Sequence, residues 1–370
     1  MILITLIIAV LFLSYSNGAN DNFKGVATLF GSKTTSYKKA ISWASVTTFA
    51  GSIAAIFLAQ TLVKNFSGKG LVPDELIQNP AFAISIALGA ALTVFIATKI
   101  GMPISTTHAL VGGLFGSGVM AIGTAFNFAK LGNTFLMPLI VSPLLAASLS
   151  LIVYLIFRKA RVALGITKES CVCVSEKQTV IQTNDLSIAS SPNNQIEFAS
   201  CKKVTSEFYE GTIFGITAQK ILDLLHFFSS GVVSFARGLN DTPKIVGLLV
   251  VVNTINIELG MFLVAVVMVI GGLLNAKKVG VLMSKKITPM NHGQGFTANM
   301  ITGLLVTTAS IHGLPVSTTH VSVGSIFGIG TVTKKADLKV IYKILLSWLL
   351  TLPIAALLSA VCYWALNNYF

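Results

Sequence analysis

Two aspartates stand where a charge is expensive. Asp21 and Asp241 lie in otherwise apolar stretches, inside the motifs Gly18-Ala19-Asn20-Asp21-Asn22-Phe23-Lys24 and Gly238-Leu239-Asn240-Asp241-Thr242-Pro243-Lys244. An uncompensated carboxylate within a bilayer costs at least ~2.5–3.5 kcal/mol. A hard cation would offset that cost, because sodium takes oxygen ligands from carboxylates, amide carbonyls, hydroxyls and unwound backbone. Asn20, Asp21, Asn240 and Asp241 are therefore candidate sodium ligands. A proton is the other coupling ion that such a carboxylate can carry. The simpler reading is an ion pair with Lys24 and Lys244, each three residues on.

A second motif also occurs twice. Gly101-Met102-Pro103-Ile104-Ser105-Thr106-Thr107-His108 matches Gly313-Leu314-Pro315-Val316-Ser317-Thr318-Thr319-His320. Proline disfavours helix at the residue before it, so Pro103 and Pro315 end whatever helix precedes them. Ser105 and Ser317 then suit the N-cap of a following helix. Thr106, Thr107, Thr318 and Thr319 fall in the first turn. A helix start offers unpaired N–H groups and the positive end of the helix dipole, which suits a tetrahedral oxyanion. The six hydroxyls of the two segments are the candidate anion ligands. Of the three arginines, Arg158, Arg161 and Arg237, two are in the linker region, so a bidentate arginine clamp is not expected to hold the anion. His108 and His320 read first as residues that fix the break by donating to a carbonyl, the alternative being a proton-shuttling or substrate-contacting role in support of the site. Lys24 and Lys244 are expected to neutralise either the aspartates or the anion.

The elements that must position these residues belong to a membrane protein. Only 11% of the 370 residues are charged and 54% are hydrophobic. That composition excludes a soluble enzyme, a disordered chain and a disulfide scaffold. Apolar runs cover 1–13, 40–63, 80–98, 133–157, 259–274 and 344–366, most of them close to the roughly 20 residues that cross hydrocarbon. The first run has no basic flank and leads directly into a repeated motif, so it reads as mature protein, not a signal peptide. The Asn-Asp motifs are offset by 220 residues and the Ser-Thr-Thr-His motifs by 212. Two unrelated motifs in the same order indicate a duplication. We divide the chain into a first transmembrane repeat at 1–157, a polar linker at 158–207 and a second repeat at 208–370. The second repeat is expected to begin with an amphipathic surface helix over 208–226.

Basic residues orient the halves. Lys33, Lys38 and Lys39 follow the first Asn-Asp motif, whereas the corresponding loop at 253–258 has none. The next loop is charge-balanced in the first half, with Lys64 and Lys69 against Asp74 and Glu75. Its counterpart carries Lys277, Lys278, Lys285 and Lys286 without an acid. Opposite patterns indicate opposite insertion. The fold expected is an all-α polytopic membrane protein with two inverted-topology repeats. Broken or re-entrant helices at Gly18, Asn20, Pro243 and the two Gly-x-Pro segments would meet at a midplane site. Arg158, Lys159 and Arg161 place the linker in the cytoplasm and both termini outside, in a cell membrane. The net charge of +13 is then a topology signal and implies no nucleic-acid partner. Cys171, Cys173, Cys201 and Cys362 have poor zinc-site spacing and read as free thiols. No P-loop, H-E-x-x-H or G-x-S-x-G motif suggests ATP-driven transport or an enzyme. An anion channel would be an odd host for intramembrane aspartates.

At these residues the chain resembles the inorganic phosphate transporter (PiT) family, through Gly18–Asp21, Gly238–Asp241 and the paired Gly-x-Pro-x-Ser-Thr-Thr-His segments. The resemblance implies a symporter of inorganic phosphate coupled to sodium, or alternatively to protons, with inverted repeats and no organic cofactor. It implies that phosphate is bound by Ser105, Thr106, Thr107, Ser317, Thr318 and Thr319. The cation would be bound by Asn20, Asp21, Asn240 and Asp241. Some relatives look like sulfate permeases, so sulfate is the alternative anion. A homodimer suits the architecture, although no residue is assigned to it. The chain departs from the common pattern at Lys24, where a small residue is usual. It also has Asn299 near a position where eukaryotic members tend to carry a glutamate.

Overall fold

The computed structural model describes residues 2–173, 204–213, 215–250, 256–285 and 287–369. Ten long helices lie among them. In the first half these are α1 (Ile2–Asp21), α2 (Tyr37–Leu58), α3 (Pro80–Ile100), α4 (Thr106–Ile122) and α5 (Met137–Ala163). In the second half they are α6 (Ala218–Val246), α7 (Ile257–Asn275), α8 (His292–Ile311), α9 (Thr318–Thr333) and α10 (Leu338–Tyr369). Each helix of the first five has its counterpart five places on. The Asn-Asp motif falls near the end of α1 and of α6. The Ser-Thr-Thr-His motif opens α4 and α9. Seven helical segments among the described residues are long and apolar enough to cross a membrane. One of these, Thr106–Ala125, is absent from the apolar runs of the sequence because its glycines dilute the hydropathy.

The helices pack in swapped pairs, and glycine marks each contact. A Cβ at Gly112 or Gly116 of α4 would strike the backbone of Leu352 or Ala356 on α10. The equivalent Gly324 and Gly328 of α9 abut Pro143 and Ala147 on α5. Likewise Gly271 of α7 meets Tyr15 of α1, and Gly51 of α2 meets Phe235 of α6. The first half thus packs on the second through the same positions in reverse. Residues Met1–Lys159 and Leu222–Phe370 accordingly form one compact unit.

Residues Ala160–Ile221 form a second, smaller unit. It holds two antiparallel strand pairs, Thr167–Cys173 with Val204–Glu210 and Thr212–Ile213 with Ile216–Thr217. These strands are the exception to an otherwise helical fold. They also correct the expected surface helix at 208–226. Its first ten residues are mostly strand, and helix begins only at Ala218 and then continues through the Asn-Asp motif to Val246. Of the polar residues Lys220, Asp223 and His226 on this stretch, Lys220 is exposed and the other two have protein partners. His226 is buried against Thr28 at 3.1 Å, and Asp223 pairs with His292 at 2.5 Å. The polar run at 190–195, Cys201, the stretch 253–255 and Lys286 lie outside the described residues. Cys362 is a free thiol in α10.

The helix breaks are shifted from those expected. Helix α1 runs through Gly18 and Asn20, ends at Asp21, and is followed by a 3-10 turn at Lys24–Val26. Gly18 is a packing residue, since a Cβ there would strike the Met268 carbonyl. Pro243 stays within α6, which ends three residues later at Val246. The proline removes one backbone donor without stopping the helix at once. Both Gly-x-Pro segments break the chain as expected. Gly101 and Gly313 take positive φ, at 79° and 71°, where a side chain would be strained.

Candidate functional site

The local sequence builds each half of the site in the same way. Ser105 Oγ accepts from the His108 N–H at 3.1 Å, and Ser317 Oγ accepts from the His320 N–H at 3.3 Å. Both serines are therefore N-caps that satisfy one of the donors a helix start leaves open. The two starts abut. Thr107 Oγ1 donates to the Val316 carbonyl at 3.3 Å, and Thr319 Oγ1 donates to the Ile104 carbonyl at 3.1 Å. The His108 and His320 rings lie 4.4 Å apart between centroids.

The Asn-Asp motifs close around this junction. Asp21 Oδ1 accepts from Lys24 Nζ at 2.5 Å, and its Oδ2 accepts from Thr106 Oγ1 at 3.2 Å. Lys24 Nζ also contacts Asn20 Oδ1 at 2.9 Å, Ile104 O at 2.7 Å and Thr319 Oγ1 at 2.7 Å. In the second half, Asp241 Oδ1 accepts from Asn240 Nδ2 at 3.0 Å and lies 3.7 Å from Lys244 Nζ. Lys244 Nζ donates to Val316 O at 2.6 Å and Thr107 Oγ1 at 2.8 Å. Each lysine thus grips its own half's Gly-x-Pro carbonyl and the other half's second threonine. The ion-pair reading of the lysines is realised, and the same ammonium groups touch the Ser-Thr-Thr segments.

The asparagines hold the breaks in place. Asn20 Nδ2 donates to Thr98 Oγ1 at 2.9 Å and to Met102 O at 3.0 Å. Asn240 Nδ2 donates to Val316 O at 3.1 Å and Thr318 Oγ1 at 3.3 Å, while its Oδ1 accepts from Ser310 at 3.2 Å. Thr98 and Ser310 are repeat partners at the 212-residue offset. The six candidate hydroxyls therefore do not converge on one point here. Two cap helices, two engage the Asn-Asp motifs and two hold carbonyls across the junction.

The histidines fill different roles. His320 stacks on Trp348 at 3.7 Å, and its Nδ1 lies 3.5 Å from the Leu139 carbonyl. His108 Nδ1 has no hydrogen-bond partner among the described residues, so the expected bond to a carbonyl is found for His320 alone. Asn299 accepts from Thr28 at 2.9 Å.

Two further residues belong to the site without a signal strong enough to single them out. Asn17 Nδ2 contacts both aspartates, Asp21 at 3.3 Å and Asp241 at 3.2 Å, as well as Thr106 at 3.0 Å. Arg237 is fully buried, donates to Asn17 Oδ1 at 2.5 Å and Asn22 Oδ1 at 3.0 Å, and lies 3.6 Å from Asp241. Positions 17 and 237 are related by the 220-residue offset, each preceding the repeated glycine. That pairing was the available clue, but the two residue types differ.

A profile of the phosphate transporter family matches residues 17–359. A Pyrococcus abyssi protein named as a phosphate permease is 27% identical, over 98% of this chain and 97% of its own length. A Bacillus subtilis protein named as a low-affinity inorganic phosphate transporter is 26% identical, over 99% and 98%. A solved structure described as the sodium-dependent phosphate transporter shares the fold, with a TM-score of 0.78, 23% identity and full coverage of both chains. With the family profile spanning both repeats and every motif of the site, this chain belongs to the phosphate transporter family.

Proposed function

We propose that this phosphate transporter is a cation-coupled symporter that binds phosphate where α4 and α9 begin. Ser105, Thr106, Thr107, Ser317, Thr318 and Thr319 supply hydroxyls and helix-start amides. Asn20, Asp21, Asn240 and Asp241 form the adjoining cation-responsive shell. The observation that carries this reading is the contact between the two motifs, Thr106 with Asp21 and Thr318 with Asn240. A change at Asp21 is one hydrogen bond from Thr106, and a change at Asp241 reaches Thr318 through Asn240, which is what coupling requires. Phosphate entry would release Thr107 and Thr319 from the carbonyls they now hold.

Sodium as the coupling ion is supported by the description of the structural neighbour. Proton coupling is favoured by a different observation, that both oxygen-rich shells already contain a lysine ammonium. Sulfate is the competing anion, since it is also tetrahedral. The linker is proposed to be cytoplasmic and both termini external, supported by the exposed Arg158 and Lys159 at the end of α5. The test is labelled phosphate uptake into proteoliposomes under a sodium gradient, a pH gradient or neither, with sulfate as competitor. Accumulation against a phosphate gradient under either ion gradient is expected. Uptake that only equilibrates would refute symport.

A further inference from the structure

We propose that Lys24 and Lys244 are the resident cations of the two Asn-Asp shells, so that phosphate is carried with no sodium bound there. The proposal rests on the phosphate-site reading above and adds an assignment to it. The argument begins with the ligand set around Lys24 Nζ. It comprises one carboxylate oxygen, one carboxamide oxygen, one main-chain carbonyl freed by a helix break and one threonine hydroxyl. These lie at 2.5, 2.9, 2.7 and 2.7 Å. This is the oxygen set that a hard cation takes from protein. The ammonium occupies its centre and is almost wholly excluded from solvent. The second shell repeats the arrangement more loosely, with Val316 O at 2.6 Å, Thr107 Oγ1 at 2.8 Å and Asp241 Oδ1 at 3.7 Å from Lys244 Nζ. A sodium ion sharing either set of oxygens would sit within a few ångströms of a fixed positive charge, in a place with little solvent to screen it. The residues present therefore do not fit the ion.

Charge balance leads to the same assignment. Among the described residues, the buried Asp, Glu, Lys and Arg side chains are Asp21, Asp241, Lys24, Lys244 and Arg237. Three cations face two carboxylates, leaving one positive charge unmatched. A singly charged phosphate matches it. Two added sodium ions would leave the anion far short of balance, in a region where uncompensated charge is costly. The tethered ammonium groups supply the cationic character for which a freely diffusing ion would otherwise be needed. They also deliver it to Thr319 and Thr107, the two second threonines of the phosphate segments.

The test measures sodium directly, without phosphate. Equilibrium binding of radiolabelled sodium to purified protein, with choline as the replacement salt, should show no saturable site in the wild type. Lys24→Ala and Lys244→Ala, which shorten the side chain and vacate the shell, should each bind one more sodium ion per chain than the wild type. Folded variants that bind the same number as the wild type would overturn the proposal. Should the variants fail to fold, the wild type decides alone, and saturable sodium binding by it overturns the assignment. In a separate arm, the wild-type phosphate Kd should agree within twofold in sodium and in choline. A tenfold tighter Kd in sodium counts against the proposal. Absence of phosphate binding in either salt refutes the phosphate site and leaves the sodium counts to judge the lysines.

Discussion

Asp21 and Lys24 depend on one another in a way that sets what substitution there can reveal. Both are buried, and the carboxylate holds the ammonium at 2.5 Å. Removing one partner of such a pair strands the other charge and typically costs ~3–5 kcal/mol, whereas replacing both with apolar groups is often nearly neutral. Asp21→Asn should therefore lower the thermal unfolding temperature in detergent markedly. The double change Asp21→Asn with Lys24→Met should recover most of that loss while phosphate uptake stays abolished. Recovery of transport by the double variant would show that the pair serves stability only. Thr107 and Thr319 behave differently, since each is a hydroxyl held by an ammonium at 2.8 and 2.7 Å. Losing a hydrogen bond to a charged group costs ~1.5–3 kcal/mol. Thr107→Val and Thr319→Val should each raise the KM for phosphate at least about tenfold. Uptake kinetics in proteoliposomes would check this, and an unchanged KM would remove these threonines from the phosphate site.

At the scale of elements, the site depends on where helices begin and how closely they approach. Ser105 and Ser317 cap α4 and α9 by accepting from His108 and His320. An N-cap serine replaced by alanine costs about 1 kcal/mol. Ser105→Ala and Ser317→Ala should thus lower the unfolding temperature modestly and weaken phosphate binding together, because the cap also orients the first-turn amides. A calorimetric scan with and without phosphate measures both effects. The glycines act at longer range. Gly116 of α4 lies against the Ala356 backbone of α10, and Gly328 of α9 lies against Ala147 of α5. Gly116→Val and Gly328→Val should each push the helix pair apart and reduce the yield of monodisperse protein on size-exclusion chromatography. Either variant behaving like the wild type would mean that the helices can slide to absorb the methyl groups. Within a lipid-facing bundle, close backbone approach supplies much of the packing energy that apolar burial supplies in water, so these contacts are expected to matter.

Over the whole molecule, the two halves exchange partners. Helix α4 packs on α10 and α9 on α5, while each lysine bridges to a threonine of the other half. Matched substitutions in the two halves should therefore produce matched effects, which makes the pairs above internal controls. Orientation is a separate property of the same scale. In a cysteine-free background, Arg158→Cys should react with a membrane-impermeant thiol reagent only from the cytoplasmic side, and Asn367→Cys only from outside. Both positions are exposed. Labelling of both from one side would overturn the proposed topology.

Much of this was legible in the chain itself. The duplicated motifs, the caps at Ser105 and Ser317 and the Gly-x-Pro breaks depend on local chemistry, since proline, glycine and a capping hydroxyl act within a few residues. Low charge and long apolar runs specified a membrane protein for the same reason. The helix expected over 208–226 starts only at Ala218, because its first residues pair as strands, 208–210 with 167–169 far away in sequence and 212–213 with 216–217, which outweighs local periodicity. Asn17 and Arg237 stayed unremarkable until folding brought them together, for one isolated asparagine carries no sign of the two aspartates it will join. What the lysines touch beyond their aspartates was decided by tertiary structure. Spacing placed each beside its aspartate, but only the crossing of the two halves seats the ammonium among oxygens from four residues. Residue types and local breaks were therefore written in the sequence, whereas the oxygens that surround each lysine were settled by long-range packing, which no local pattern encodes.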